Sequence, residues 1–170
     1  MKKIIYLTLI MLFVIVLGAC AKTTPQSSDE MINPGDKIGD FLINTGDNES
    51  VTFLANIHCP LDQSTGIKSC ELPVGTKLNV SSCIYDDNLN SGKNLDELWS
   101  ESTFAILIEG RPVNLQPFGS IDITHSFLGK IRQWNVVIVT DKPSKIAVKN
   151  SVVVDGESFE YNFIMSFIAP

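Results

Sequence analysis

The sequence of 170 residues lacks the short motifs that mark common enzyme classes. It has no Gly-x-Ser-x-Gly, Ser-x-x-Lys or His-Glu-x-x-His stretch and no glycine-rich phosphate loop. Histidine occurs only twice, as His58 and His125, and a Ser-His-Asp site would have to use one of them. The sequence therefore leaves enzymatic activity open and favours a protein without it.

Positive charge is also scarce, with 13 Lys and Arg against 19 Asp and Glu and a net charge of −6. No stretch concentrates Lys or Arg, so the basic footprint of a phosphate-binding protein is missing. We expect no nucleic-acid partner.

The sequence has one long apolar run, and this run is too short to cross a bilayer. It covers residues 4–17, whereas a membrane helix needs about 20 apolar residues and a signal-peptide core needs roughly 7 to 15. Lys2 and Lys3 precede the run, as in the charged start of a signal peptide. The run therefore predicts a cleaved signal peptide, with an uncleaved membrane anchor as the alternative.

The residues that close this run, Leu17-Gly18-Ala19-Cys20, resemble the lipobox of bacterial lipoproteins. The resemblance covers the first twenty residues only. It implies diacylglycerol on the Cys20 thiol, cleavage of residues 1–19 and acylation of the new amino group. The membrane would then be a partner through the lipid anchor, and the protein would lie in the cell envelope, on the extracytoplasmic side of a bacterial membrane. An ordinary secreted protein with an incidental cysteine is the alternative.

Loss of residues 1–19 would change the net charge from −6 to −8, because Lys2 and Lys3 leave with the signal peptide. Residues 20–38 contain few large apolar side chains, so they cannot offset the entropy of ordering and predict a flexible tether. Residues 39–170 show no internal repeat and no division, and predict a single domain.

Alternation with a period of two dominates the sequence after Gly39 and predicts β-strands. Glu109-Gly110 and Asp155-Gly156 each separate two apolar runs at a spacing typical of tight hairpins. The clearest strand places five large side chains on one face: Phe159, Tyr161, Phe163, Met165 and Phe167.

Only residues 94–99 have a helical pattern, with Asn94 as the N-cap. About eight short strands and one short helix predict an all-β fold, a single antiparallel β-sandwich. An immunoglobulin-like topology is the first choice and a jelly roll is the alternative. The stretch from Gly110 to Leu115, followed by Phe118 and Trp134, is similar to uncharacterised secreted bacterial β-domains, a resemblance that implies no particular activity.

Three further cysteines, Cys59, Cys70 and Cys83, follow the lipobox. An oxidising location favours a disulfide between two of them. Cys59 and Cys70 enclose a short segment with Pro60 and Gly66, which is typical of a loop, so we favour this pair. Cys70 with Cys83 is the alternative. Cys83 lies in an apparent strand, and we expect it to be a buried, inert thiol.

Residues 86–97 resemble an EF-hand calcium loop. Oxygen donors occupy its first, third, fifth and twelfth positions: Asp86, Asn88, Asn90 and Glu97. The glycine, Gly92, stands one place later than in the family, and Lys93 replaces the usual apolar eighth residue. A polar loop that ends in a helix cap is the alternative interpretation. We expect no cofactor, and calcium at this loop is the alternative.

His58, Cys59 and His125 could supply ligands for a transition metal. Their spacing does not favour such a site, because adjacent strand residues point to opposite faces of a sheet.

We therefore expect a non-enzymatic module that binds a protein, a glycan or a small molecule through loops at one end of the sandwich. Residues 86–97 and 116–125 are the predicted loops. The alternative is an envelope metal-binding protein or hydrolase that uses His58, Cys59 and His125. Exposure of Trp99 or Phe118 on a concave face would favour a glycan or peptide ligand.

Overall fold

The computed structural model describes residues 30–47, 50–52, 59–80, 82–85, 92–125 and 129–169. The first half of this region contains seven strands: β1 Lys37–Ile38, β2 Phe41–Thr45, β3 Val51–Thr52, β4 Leu61–Asp62, β5 Ile67–Pro73, β6 Leu78–Asn79 and β7 Cys83–Tyr85. A helix, α1 Leu95–Glu101, follows. The second half contains a 3₁₀ turn at Gln116–Phe118 and seven more strands: β8 Thr103–Ile108, β9 Arg111–Pro112, β10 Ser120–His125, β11 Gly129–Trp134, β12 Val136–Val139, β13 Ser144–Val154 and β14 Glu157–Ile168.

The strands form three sheets. The largest has the order β4-β5-β14-β13-β8-β9, the second has the order β1-β2-β12-β6-β3, and the third has the order β10-β11-β7. Only Asn135 separates β11 from β12, so the third sheet continues the second. Most pairs are antiparallel, but β14 pairs with β5 in parallel and β3 pairs with β6 in parallel. The all-β prediction with one short helix is confirmed for the described residues.

The six-stranded sheet packs against the other two in a sandwich-like arrangement. Phe41 of β2 and Phe167 of β14 meet edge to face across the layers, with ring centroids 5.5 Å apart. Burial of such apolar side chains is the main favourable contribution to folding. The core draws on both layers, with Ile43, Leu78, Val136 and Ile138 from one and Ile106, Ile108, Ile146, Val148, Phe163, Met165 and Phe167 from the other.

The long hairpin β13–β14 forms the centre of the six-stranded sheet. Its register runs from Ser144 opposite Phe167 to Val154 opposite Glu157. Asp155 and Gly156 form its turn with φ of 50° and 80°. Positive φ at both central residues is the geometry of a two-residue turn that matches the twist of the strands. Both predicted hairpin turns are confirmed, since Glu109 and Gly110 link β8 to β9 with φ of 50° and 76°.

The N-terminal part of the described chain corrects the predicted tether of residues 20–38. Ile32 is completely buried and forms a parallel bridge with Val113, and β1 lies within the same segment. The Ile32 N–H donates to Pro112 O at 2.8 Å, and Asn114 N–H donates to Ile32 O at 2.9 Å. The burial of Ile32 and its backbone hydrogen bonds hold this otherwise polar stretch in place. The folded body therefore includes residues 30–38.

Among the described residues, no helix has the length and apolar character that a bilayer crossing requires.

Candidate functional site

Some of the predicted site residues lie outside the described part of the chain, and the others lie within it. Cys20, His58, Asp86, Asn88 and Asn90 lie outside the described residues, as does the predicted signal peptide, residues 1–19. His125 ends β10, and only its backbone is described. Within the described ranges, no group of three or more His, Cys, Asp or Glu side chains is arranged to hold a metal ion.

Cys59 and Cys70 form a disulfide, which confirms the favoured pairing. Their Cα atoms are 5.2 Å apart, and both residues are buried in the core. Cys70 lies on β5 opposite Met165 of β14, so the disulfide fixes the preceding segment to the middle of the large sheet. This corrects the alternative that used Cys59 as a metal ligand, because a disulfide sulfur is not the thiolate that binds a transition metal.

Cys83 has no disulfide partner and lies half-buried on β7. Burial raises the pKa of its thiol to about 11. At neutral pH the side chain is therefore protonated, and a protonated thiol is a poor nucleophile and a poor metal ligand.

Helix α1 begins with the capping arrangement that its sequence predicts. Asn94 Oδ1 accepts the Glu97 N–H at 3.0 Å, and Glu97 Oε2 accepts the Asn94 N–H at 2.9 Å. These two bonds satisfy backbone donors that the first helical turn would otherwise leave without partners. The carboxylate of Glu97 thus has a structural role at the helix start, as in the polar-loop interpretation of residues 86–97.

Arg132 of β11 joins α1 to β10. Its Nη1 lies 2.6 Å from Asp96 Oδ1, while its Nε and Nη2 lie 2.6 and 2.8 Å from the two carboxylate oxygens of Asp122. The guanidinium carbon is 6.0 Å from the centroid of the Trp99 ring, within range of a cation–π contact. Two-pronged contact with one carboxylate is the strong form of an ion pair, so Arg132 fixes the position of both elements.

These contacts also set the ionisation of the group. Hydrogen bonds from Arg132 hold the pKa of Asp122 below its usual value, and the two carboxylates raise the pKa of Arg132. The Asp96 side chain is 81% exposed, whereas that of Arg132 is 21% exposed. Most of the Asp96 side chain is therefore accessible to solvent while one of its carboxylate oxygens contacts Arg132.

Three aromatic side chains pack beside Arg132. Trp99 lies 4.5 Å from Phe104 and 5.2 Å from Trp134, measured between ring centroids. Trp134 and Phe118 are buried, with exposures of 8% and 3%, and Trp99 is half-buried. Phe118 therefore provides no exposed aromatic platform.

The prediction that residues 116–125 form a loop is wrong. This stretch forms the 3₁₀ turn and strand β10, which pairs with β11 from Ser120 opposite Trp134 to His125 opposite Gly129. This stretch contains few large apolar residues. However, Ile121 and Ile123 alternate with polar residues, and this alternation could have revealed the strand.

A second cation connects α1 to the turn of the long hairpin. Lys93 Nζ lies 2.6 Å from Glu101 Oε2 and 2.7 Å from Asp155 Oδ1. We use the term helix end for the region formed by α1, the Asp155–Gly156 turn and the Asp122–Arg132 pair. With the adjoining Glu157 and Lys130 included, its described carboxylates outnumber its cations. The six carboxylates are those of Asp96, Glu97, Glu101, Asp122, Asp155 and Glu157, and the three cations are Lys93, Lys130 and Arg132.

Two open grooves lie elsewhere on the body. One, of about 400 Å³, runs over the outer face of the six-stranded sheet and is lined by residues that include Ile67, Leu107, Ala147, Asn162 and Ile164. The other, of about 490 Å³, is lined by residues 38–41 with Glu109, Ser144 and Lys145. In the second groove, Glu109 accepts the Ala147 N–H at 2.6 Å and Asp40 pairs with Lys142 at 3.0 Å.

Hydrogen bonding to Lys142 lowers the pKa of Asp40, and the same contact raises the pKa of Lys142. The carboxylates of this groove are thus engaged in ion pairing and backbone contacts.

Comparisons with protein-family models, with curated proteins and with solved structures found no match to this chain.

Proposed function

We propose that this chain is the precursor of a lipoprotein that is anchored through Cys20 on the extracytoplasmic side of a bacterial membrane, and that its β-body is a non-enzymatic binding module. The anchor is supported by the lipobox and the preceding apolar run. The Cys59–Cys70 disulfide agrees with this location, because disulfides persist in oxidising compartments.

We infer further that the body has an immunoglobulin-like topology. In that fold, strands B, E and D lie side by side in one sheet and strands G, F and C lie side by side in the other. The observed orders β7-β11-β10 and β14-β13-β8 correspond to these two sets, and β9 follows β8 in the position of C′. The chain order of the strands also agrees, from β6 and β7 as B to β14 as G.

Four features depart from the antibody pattern. The disulfide does not link strands B and F, Trp134 lies on strand E instead of strand C, and β5 pairs with β14. The fourth is the place of β2, which pairs with β12 of strand E and not with β6 of strand B. The orders β7-β11-β10 and β14-β13-β8 still match B-E-D and G-F-C.

The observation that carries the binding proposal is the junction of two connecting segments at the helix end. In variable immunoglobulin domains, the B–C and F–G connections meet at one end and form the binding site. Here the B–C connection contains α1, the F–G connection is the Asp155–Gly156 turn, and Lys93 joins them through its contact with Asp155. Groups held in place before binding lose less entropy on association, which favours a binding surface.

The exposed carboxylates of the helix end indicate a partner that presents positive charge. Complementary charge accelerates encounter and selects the partner, even where it adds little affinity. A protein, a glycan or a small molecule with cationic groups could meet this condition.

The anchor is tested by incorporation of labelled palmitate into the full chain made in bacteria, with Cys20→Ala as the variant and Cys83→Ala as the matched cysteine control. The original chain and the control should carry the label, and Cys20→Ala should not. Equal labelling of all three chains, or labelling of none, would contradict lipidation at Cys20.

The binding end is tested with a photo-crosslinking amino acid placed at Asp96 or, as the control, at Ala147 on the outer face of the large sheet. The Asp96 probe should give a discrete adduct in cells, and Arg132→Gln should weaken that adduct because the surface loses its fixed geometry. Equal adducts from both probe positions would contradict binding at the helix end.

A further inference from the structure

The folded body receives the chain at one defined end. Arg111 Nη2 donates to Glu30 O at 3.3 Å, and the bridge between Ile32 and Val113 is parallel. Strand β9 runs antiparallel to β8, so residues 30–33 run in the opposite direction to β8. The chain therefore enters at the end of the sandwich where β8 finishes and β13 begins. We use the term entry end for Glu30, Arg111, the Glu109–Gly110 turn and Lys145.

The helix end lies at the opposite end of the same strands. β8 begins at Thr103, directly after α1, and pairs there with Val153 of β13. The Asp155–Gly156 turn follows after Val154, the last residue of β13. The entry end and the helix end thus lie at opposite ends of the long axis of the β13–β14 hairpin.

The linker between Cys20 and the folded body is short compared with the length of the body. β13 contains 11 residues, which span about 36 Å at the usual rise of a strand. Ten residues lead from Cys20 to Glu30, so the link can reach at most about 35 Å. Even this upper limit does not exceed the length of the strand.

The distribution of charged side chains also distinguishes the two ends. The helix end carries more carboxylates than cations, and a bacterial bilayer that contains anionic lipids repels it over roughly one Debye length. The entry end and the adjoining Asp40–Lys142 pair carry four carboxylates, Glu30, Asp40, Glu109 and Asp141, and three cations, Arg111, Lys142 and Lys145. The excess of carboxylates is therefore one at the entry end and three at the helix end.

We propose that the entry end faces the lipid headgroups and that the helix end points away from the membrane, toward the partner. This inference rests on the proposed lipid anchor at Cys20. It assigns the bilayer to the surface around Arg111 and Lys145, and it places the B–C and F–G connections at the outer limit of the molecule.

The orientation is tested with fluorescent labels at the two ends of one hairpin. In a Cys83→Ala background, Lys145→Cys and Glu157→Cys each provide one exposed thiol, and the two positions are about 30 Å apart along the strands. The lipidated full chain is bound to vesicles of phosphatidylcholine and phosphatidylglycerol that contain a lipid with a nitroxide headgroup. Flotation of the vesicles is measured first, and quenching of each label is measured second.

Quenching of the Lys145→Cys label should exceed that of the Glu157→Cys label several-fold. Equal quenching, or stronger quenching at Glu157→Cys, in protein that floats with the vesicles would overturn the orientation and leave the anchor intact. Failure of the protein to float would overturn both the anchor and the orientation that depends on it. Addition of the same nitroxide to the aqueous phase should quench both labels equally, which would show that both are accessible.

Discussion

Reduction of the Cys59–Cys70 disulfide should destabilise the body by about 3 kcal/mol. The two cysteines are 11 positions apart, and closing a loop of this size in the unfolded chain contributes about that amount in the chain-entropy model. Reduction removes no heavy atom from the core, so it opens no cavity and the lost cross-link is the main effect. With a urea dependence of roughly 2 kcal/mol per molar, the unfolding midpoint should fall by about 1.5 M.

The assay is urea unfolding of the Cys83→Ala chain, with and without a reductant. Removal of Cys83 prevents exchange between its thiol and the disulfide. A Cys59→Ala/Cys70→Ala chain serves as the control, since its midpoint should not respond to the reductant. The count of free thiols in denaturant gives a second reading, and the Cys20→Ala chain should show one thiol, that of Cys83. A count of three, or a midpoint that the reductant does not change, would refute the reasoning.

Three other substitutions test separate parts of the fold. Gly46→Ala should cost about 1–3 kcal/mol in urea unfolding, because a Cβ there would collide with Asn135 Oδ1; an unchanged midpoint would contradict this packing. Asn94→Ala should cost about 1 kcal/mol through loss of the helix cap, which Asn94→Ser should largely restore. Asp122 has a pKa held below 3.8 by Arg132, so its ionised form stabilises the fold above that pH and this stabilisation is lost as the pH falls through the lower folded value. Asp122→Asn should therefore lose less stability than the original chain between pH 6 and pH 3, and parallel curves would exclude the contribution.

Local features of the fold were predictable because their causes lie within a few residues. A turn with positive φ needs residues that tolerate it, as in Asp155-Gly156, and a capping box depends on two positions, Asn94 and Glu97. The alternation of large side chains in β14 is confirmed from Tyr161 to Phe167. Phe159 is 38% exposed because it lies near the turn, where the facing layer no longer covers the hairpin.

Features that depend on distant partners were not predictable from the sequence. Order in residues 30–38 comes from Val113, about eighty positions away, and composition alone indicated a tether. The parallel contact between β5 and β14 has no local pattern either. At the candidate site, both Asp96 and Asp122 look like ordinary surface acids until Arg132 brings them together.

The position of β14 has a consequence for the order in which the protein can fold. This strand comes after every other strand in the chain, yet it lies between β5 and β13 in the large sheet. Until β14 has been synthesised, β4 and β5 cannot join the half of the sheet that contains β13, β8 and β9. The large sheet must therefore close late, after synthesis has delivered nearly all of the described chain.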